Sequence, residues 1–251
     1  MPRQLFRRWA QYAMSRLQTS CPLRELPARG GQCCVPCADD LWLAPGQSGH
    51  CRQCLATVPD DFDQCEICTS EPADFFATLA GMAYAFPGDR LIQDFKALGR
   101  LDHGPALASL VTRSLRAQLA HRDWPDVLIP VPSSRSALKK RGFNPAAELA
   151  SQLSRQLGIP VMHGGLVCQE DHPPQKTLDL HQRMARVRGR YACHRSLSSL
   201  RVGLVDDVMT TGSTLREISR VLMGRDAACV ILLVAARTPM APPDLAKSRH
   251  V

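Results

Sequence analysis

The stretch VGLVDDVMTTGST (202–214) decides how the rest of the sequence is interpreted. Together with Arg201 before it, the run RVGLV is typical of a buried strand. Two adjacent carboxylates, Asp206 and Asp207, follow, and hydroxyl residues and a glycine then lead into STLREISRVLMG (213–224), an amphipathic helix pattern. The stretch therefore predicts a strand, an acid pair at its carboxyl end, and a turn at the amino end of a helix.

Residues Thr210 to Thr214, which we call the phosphate turn, have the composition of an anion-binding turn. Backbone N–H groups in the first turn of a helix lack intrahelical partners and lie at its positive end, so they attract phosphate. Gly212 allows close approach, and the hydroxyl groups add donors. Two carboxylates beside a phosphate indicate a polyhydroxylated or metal-bound ligand, and a ribose with Mg²⁺ fits. The alternative is an ordinary helix N-cap after an incidental acidic turn. It explains TTGST taken alone, but it explains less well the complete sequence of strand, acid pair, turn and helix.

Strand and helix patterns alternate on both sides of this unit and place one domain at residues 75–240. The alternation predicts an α/β fold with a mostly parallel sheet and helices on both faces. Ligands of such sheets bind beyond the carboxyl ends of the strands. The predicted strands are MAYAF (82–86), DVLIPVP (126–132), RVGLVDD (201–207) and ACVILLVAA (228–236). The predicted helices are DRLIQDFKALGR (89–100), residues 104–121, NPAAELASQLSRQLG (144–158) and STLREISRVLMG (213–224).

The cysteines predict a separate N-terminal module at residues 1–70. Eight of the 11 cysteines precede residue 70, and three CxxC pairs occur among them. A CxxC turn directs two thiolates at one ion, and two such turns complete a tetrahedral zinc site. The spacing favours a structural zinc site formed by Cys51, Cys54, Cys65 and Cys68. Disulfides and CxxC redox chemistry are the alternatives, which the absence of an export signal and the three copies argue against.

The remaining CxxC pair, Cys34 and Cys37, is also predicted to bind metal, but its partners stay open. A matching pair at Cys21 would need a second cysteine where the chain has Arg24, and arginine cannot ligate a metal. Such a site would take Cys33, His50 or water as further ligands, or would remain empty.

Composition favours anionic partners. The chain has 31 basic and 23 acidic residues among 251, a net charge of +8, although a solvated basic surface explains the charge equally well. MPRQLFRRWAQYAMSRLQTS (1–20) predicts a short amphipathic helix that packs on its own protein, not a targeting segment. No stretch of the sequence is apolar enough to span a membrane, so we expect a cytoplasmic protein.

These motifs resemble a known family. VGLVDDVMTTGST is similar to the phosphoribosyl pyrophosphate signature of type I phosphoribosyltransferases. LIPVPSSRSALKKRGFN (128–144), QKTLDLHQRMARVRGRY (175–191) and the cysteine knuckles together resemble the ComF/GntX family of competence-associated proteins. The resemblance covers nearly the whole chain and implies a type I phosphoribosyltransferase-like fold behind a zinc ribbon.

The resemblance also implies roles for individual residues. Asp206 and Asp207 would contact the ribose hydroxyls, the phosphate turn would hold the 5′-phosphate, and the segment 133–144, which we call the basic loop, would lie beside the pyrophosphate. The implied catalytic residues are Asp206, Asp207 and Arg141. The implied substrate-binding residues are Thr210, Thr211, Gly212, Ser213, Thr214, Ser133, Arg135, Lys139, Lys140 and Asn144. The alternative for the basic loop is a basic helix start on a solvated face. Purine-salvage relatives carry Asp where this chain has Thr210, which argues against a purine-salvage activity.

Two functional hypotheses follow. The first is a Mg²⁺-dependent phosphoribosyltransferase that uses phosphoribosyl pyrophosphate. The second is a binding protein for phosphoribosyl pyrophosphate or a related nucleotide that acts on single-stranded DNA with competence proteins. The second hypothesis draws on a run of arginines that could follow a phosphate backbone or could equally serve the pyrophosphate site or the surface. Its members are Arg183, Arg186, Arg188, Arg190, Arg195 and Arg201.

Overall fold

The computed structural model describes residues 16–44, 46, 49–169 and 189–239. The predicted N-terminal helix, apart from its last residues, and most of QKTLDLHQRMARVRGRY (175–191) lie outside these ranges. The strands are β1 Gln18–Ser20, β2 Pro27–Arg29, β3 Ala77–Ala83, β4 Val127–Pro130, β5 Leu166–Cys168, β6 Tyr191–Cys193, β7 Arg201–Met209 and β8 Cys229–Arg237. The α-helices are α1 Val35–Leu41, α2 Glu66–Ser70, α3 Gly88–Ala97, α4 Gly104–Gln118, α5 Arg135–Arg141, α6 Pro145–Leu157 and α7 Ser213–Met223.

A parallel sheet forms the centre of the described structure. Its strands lie in the order β3-β8-β7-β4, and every neighbouring pair is parallel. In the middle of the sheet Val205 of β7 pairs with Leu233 of β8 on one side and with Pro130 of β4 on the other. Because all four strands run the same way, their carboxyl ends meet at one edge. The predicted α/β class and parallel sheet are confirmed.

Both faces of the sheet are covered, and two different kinds of structure cover them. Alternate residues of a strand point to opposite faces, so Leu204 and Val205 belong to different buried clusters. Helices α3, α4 and α6 pack against the face of Val205. Helix α7 packs against the face of Leu204, together with Ala56 and Val58 of the cysteine-rich segment. The cysteine-rich segment thus covers part of the sheet as a helix would.

The edge strand β3 begins five residues earlier than predicted. The prediction placed it at MAYAF (82–86), whereas the structure has it at Ala77–Ala83. Gly81 explains part of the difference, since a Cβ there would lie 2.9 Å from both the Ala235 carbonyl oxygen and the Leu110 Cβ. The glycine lets α4 approach the sheet closely, but a glycine inside an apolar run weakens the strand pattern in the sequence.

Strand β7 continues two residues beyond its predicted end at residue 207 and finishes at Met209. Asp206 and Asp207 therefore belong to the strand, and their side chains leave its opposite faces.

The helix bounds follow the sequence signals closely. At α6 the side chain of Asn144 accepts a hydrogen bond from the Ala146 N–H at 3.1 Å, and Pro145 is the first helical residue. Gly158 ends the helix in the left-handed conformation, with φ of 76°. This is the predicted arrangement of Asn cap, Pro start and Gly stop. Among the described residues, no helix combines the length and the apolar character that a membrane crossing requires.

Candidate functional site

The phosphate turn lies between the carboxyl end of β7 and the first turn of α7. Gly212 precedes the helix in the left-handed conformation, with φ of 79°, and has no side chain with which to cap it. The hydroxyl groups of Thr211 and Ser213 lie 3.0 Å apart, and the first turn of α7 carries no acidic residue. The N–H groups at this helix end are thus offered to an anion and not to a capping carboxylate.

The acid pair lies directly beside this turn. The Asp207 side chain is largely buried, and its Oδ2 lies 2.6 Å from the ammonium nitrogen of Lys96 near the end of α3. Among the described residues, this buried oxygen accepts no hydrogen bond of normal geometry, so the contact with Lys96 is an ion pair only. The other carboxylate, Asp206, accepts a hydrogen bond from the Asp207 N–H at 2.9 Å.

Burial and the neighbouring carboxylate hold the pKa of Asp206 well above its ordinary value of 3.8. Two like charges this close oppose each other's ionisation, whereas the ammonium of Lys96 partly offsets the effect. Burial also raises the pKa of Tyr191, and its interaction with Thr214 of the phosphate turn partly offsets the effect. A site that resists ionisation in this way gains from a ligand that brings positive charge or hydroxyl donors.

The raised pKa of Asp206 predicts a pH dependence of stability. The folded protein holds this proton more tightly than the unfolded chain does, so the free energy of unfolding should fall as pH rises from 3.8 through the raised pKa. Chemical denaturation across this pH range measures the slope, and Asp206→Asn should reduce it. Asp126→Asn is the matched control, because Arg201 lowers the pKa of Asp126 and its contribution is instead lost as pH falls. An unchanged slope in Asp206→Asn would contradict the prediction.

The basic loop begins at the carboxyl end of β4, next to β7. The Val131 N–H donates to the Val205 carbonyl at 2.9 Å, which places the start of the loop beside the acid pair. Asn144 closes the loop, since its amide donates to the Val131 carbonyl at 2.9 Å and its Oδ1 accepts from Ser133 at 3.0 Å. Ser133 and Asn144, predicted as ligand contacts, thus hold the ends of the loop together in the described structure.

The basic residues of the loop lie on the short helix α5. The Ser134 hydroxyl caps it by accepting from the Ala137 N–H at 3.2 Å. Arg135, Lys139 and Lys140 are exposed, and Arg141 is partly buried. The helix is therefore anchored at the site edge of the sheet and presents cations to solvent there.

The four-cysteine cluster, formed by Cys51, Cys54, Cys65 and Cys68, comes together as predicted. Its four sulfur atoms lie within 4.8 Å of one another, and those of Cys54 and Cys65 are 3.6 Å apart. Zinc–sulfur bonds of about 2.3 Å in a tetrahedral site separate the sulfurs by about 3.8 Å, so the cluster fits Zn²⁺. Hydrogen bonds with Cys54 and Cys68 lower the pKa of Cys51, while the bond with Cys51 raises that of Cys54 to about 11. Ionisation of one thiol therefore disfavours ionisation of its neighbour, and a bound divalent cation would offset this repulsion.

A three-cysteine cluster joins Cys34 and Cys37 to Cys21, whose sulfur the sequence left without a role. These three sulfurs also lie within 4.8 Å of one another. Cys33 packs against the cluster, whereas the backbone of His50 pairs with Thr57 in the other part of the module. Arg24, which occupies the position of the missing cysteine, is turned away and pairs with Asp40 at 3.0 Å.

Several residues of the site were missed by sequence reasoning. Lys96 pairs with the acid pair from a distant helix, and a single lysine on an amphipathic pattern carries no signal of that contact. Arg216 and Arg237 link the phosphate turn to the four-cysteine cluster across more than a hundred residues of sequence. A search that accepted a single cysteine in place of a second CxxC pair would have identified Cys21 as a partner of Cys34 and Cys37.

The arginine run is divided by the structure. Arg201 donates to Asp126 at 2.8 Å and also bonds the Arg122 carbonyl, at the end of the sheet opposite the acid pair. Arg195 is exposed. The first three members of the run lie outside the described residues.

Comparison with known proteins agrees with this geometry. The phosphoribosyl transferase domain family matches residues 99–247. Competence protein F of Haemophilus influenzae is 31% identical over 209 residues, 75% of this chain and 90% of that protein. The DNA utilization protein YhgH of Escherichia coli is 26% identical over 194 residues, 75% of this chain and 84% of that protein.

Solved structures include a similar chain as well. A purine phosphoribosyltransferase from Pyrococcus horikoshii Ot3 matches 66% of this chain and 84% of its own, with 20% identity and a TM-score of 0.33. The family match covers more than half of the chain and includes the phosphate turn, the acid pair and the basic loop. The chain therefore belongs to the ComF-like family of competence proteins and carries a phosphoribosyl transferase domain at residues 99–247.

Proposed function

We propose that this protein binds phosphoribosyl pyrophosphate together with Mg²⁺ and transfers the phosphoribosyl group to an acceptor. One observation carries the proposal: a partly buried acid pair and a helix amino end without an acidic cap occur in one continuous segment at the carboxyl edge of the sheet. The first suits a sugar with free hydroxyls and the second suits a phosphate, and phosphoribosyl pyrophosphate has both.

In this proposal the phosphate turn and the acid pair hold the two ends of the sugar. The N–H groups and hydroxyls of residues 210–214 donate to the 5′-phosphate. Asp206 and Asp207 accept hydrogen bonds from the ribose hydroxyls. Lys96, whose ammonium nitrogen lies 2.6 Å from Asp207 Oδ2, holds that side chain in place when no ligand is bound.

The residues present also suit Mg²⁺. The cation prefers carboxylate oxygens, and the buried Oδ2 of Asp207 accepts no normal hydrogen bond among the described residues. When bound, Mg²⁺ supplies positive charge that neutralises the departing pyrophosphate. Asp207 would be the residue that holds the ion, and the ammonium of Lys96 already lies 2.6 Å from this oxygen.

The basic loop stabilises the leaving group in the proposed reaction. Pyrophosphate gains charge as its bond to the sugar breaks, so cations close to it lower the barrier more than they strengthen substrate binding. Arg141, partly buried at the end of α5, is the catalytic candidate, and Arg135, Lys139 and Lys140 contribute further charge.

A second candidate function is binding without catalysis. Two related proteins are named for competence and for DNA utilization, which favours a role on single-stranded DNA for this chain. Phosphoribosyl pyrophosphate or a nucleotide would then occupy the same site as a regulatory ligand.

The two functions are distinguished by the full chain in two assays. Calorimetry with phosphoribosyl pyrophosphate and Mg²⁺ should show saturable binding, and pyrophosphate release should rise when the right acceptor from a panel of nucleobases is added. Binding without release on any acceptor, joined to single-stranded DNA affinity that falls steeply with salt, would favour the second function. A protein that binds neither phosphoribosyl pyrophosphate nor a nucleotide in the presence of Mg²⁺ would contradict both, and one that binds nucleotides alone would contradict the first.

A further inference from the structure

Arg216 joins the helix of the phosphate turn directly to the four-cysteine cluster. Its Nη2 donates to the Cys68 sulfur at 2.8 Å, and its Nη1 donates to the Glu71 carbonyl at 3.1 Å. The guanidinium also lies over the ring of Phe75, 5.6 Å from its centroid. The backbone N–H of Arg216 donates to the Gly212 carbonyl at 2.9 Å, so the residue belongs to the first hydrogen-bonded turn of α7.

Arg237 makes a second connection from the end of β8. Only 2% of this residue is exposed. Its Nε donates to the Cys54 carbonyl at 2.8 Å, inside a cysteine knuckle. Its Nη1 donates to the Met209 carbonyl at 3.1 Å and also bonds the carbonyl of Thr210, the first residue of the phosphate turn. One buried guanidinium therefore holds a knuckle and the entrance to the turn at the same time.

These contacts give the metal an effect beyond its own module. Groups that hydrogen-bond metal ligands fix the orientation of those ligands and tune the affinity for the metal. The reverse also holds, since knuckles without metal lose the thiolate geometry that keeps their carbonyls and sulfurs in place. Both arginines would then lose an anchor on one side while still bonded to the turn on the other.

We propose that Arg216 and Arg237 are positioning residues that make the shape of the phosphate turn depend on the metal bound by the four-cysteine cluster. The ligand concerned is the phosphate-bearing sugar of the proposed function, on which this inference rests. The metal module then acts as part of the phosphate site, because its integrity sets the arrangement of the N–H donors.

The other side of the sheet supplies a matched control. Arg113 of α4 donates to Asp39 of α1 at 2.6 Å and lies 4.0 Å from the ring centroid of Trp42. This arginine joins the N-terminal module to the domain as Arg216 does, but the helix it reaches carries Cys37 of the three-cysteine cluster. The contacts described for Arg113 are to this module and not to the phosphate turn. Arg113→Gln should lower the thermal midpoint without altering the turn.

Hydrogen exchange and metal release on the full chain test the proposal. Removing zinc with a chelator should speed amide exchange at residues 210–216. Arg216→Gln should release zinc to a chelator about 10-fold faster, the size expected for loss of an outer-sphere partner, and should weaken binding of phosphoribosyl pyrophosphate and Mg²⁺. Arg237→Lys should restore most of the turn protection that Arg237→Met loses. Arg113→Gln should match the unaltered protein in zinc release and in exchange at the turn.

The outcomes separate this proposal from the proposed function. If the zinc-loaded protein binds no phosphoribosyl pyrophosphate, the proposed function fails, yet exchange at residues 210–216 still decides the coupling. The coupling is overturned if zinc removal leaves that exchange unchanged, or if Arg216→Gln and Arg113→Gln behave alike. Should both Arg237 variants fail to fold, the zinc-removal and Arg216→Gln measurements decide the matter alone.

Discussion

Replacing Asp206 and Asp207 together by asparagine is expected to reduce affinity for phosphoribosyl pyrophosphate and Mg²⁺ by at least about 100-fold. Asparagine keeps the shape of each side chain but removes the charge that binds the ribose hydroxyls and the cation. A hydrogen bond to a charged group contributes about 1.5 to 3 kcal/mol, and each 1.4 kcal/mol is a factor of ten in affinity. The loss of two such hydrogen bonds therefore lowers the affinity more than almost any surface substitution would. Isothermal titration calorimetry at saturating Mg²⁺ measures the change.

Asp126→Asn is the matched control for this experiment. Asp126 also pairs with a cation, the guanidinium of Arg201 at 2.8 Å, but just before the amino end of β4. Its loss should change stability and leave affinity as it was. Equal affinity in the Asp206→Asn/Asp207→Asn protein and the unaltered protein would rule out the acid pair as the sugar site, even if the fold stood unchanged.

Local patterns were sufficient to predict most of the central domain. The helix start at Asn144 and Pro145 depends only on neighbouring backbone groups, which the sequence displays directly. Strand β8 is apolar as far as Ala236 because both faces of a parallel sheet are buried, so ACVILLVAA located it to within one residue at each end. Edge strand β3 was displaced because its apolar run is interrupted by Gly81, whose role depends on a helix that packs from elsewhere in the chain.

The candidate site was predictable to the extent that it is local. The acid pair and phosphate turn are one continuous segment, so their order along the chain fixes their proximity. Lys96 and Arg237 reach the same segment from α3 and β8, and no periodicity records which side chain will meet which. The three-cysteine cluster is a similar case, since Cys21 joins Cys34 through a loop whose course the spacing does not determine.

Replacing Cys65 by serine is expected to remove one equivalent of zinc per chain and to lower the free energy of unfolding by about 3 kcal/mol or more. Structural zinc contributes roughly 10 to 16 kcal/mol of apparent binding free energy in small zinc-binding peptides, and a hydroxyl is a far weaker ligand than a thiolate. The knuckle segment has little apolar surface of its own, yet Ala56 and Val58 pack beneath it against the sheet. Its loosening should therefore uncover apolar surface of the domain as well.

Metal analysis of the purified protein and urea denaturation measure the two parts of this prediction. Cys229→Ser is the matched control, because Cys229 is partly buried in β8 and belongs to neither cysteine cluster. It should retain the full zinc content and most of the stability. Cys37→Ser separates the clusters, since it should leave zinc at Cys51, Cys54, Cys65 and Cys68 in place. If Cys65→Ser kept the zinc content and unfolding midpoint of Cys229→Ser, the four thiols would not be a metal site. Both variants replace a half-buried cysteine by serine, and only Cys65 belongs to the four-cysteine cluster.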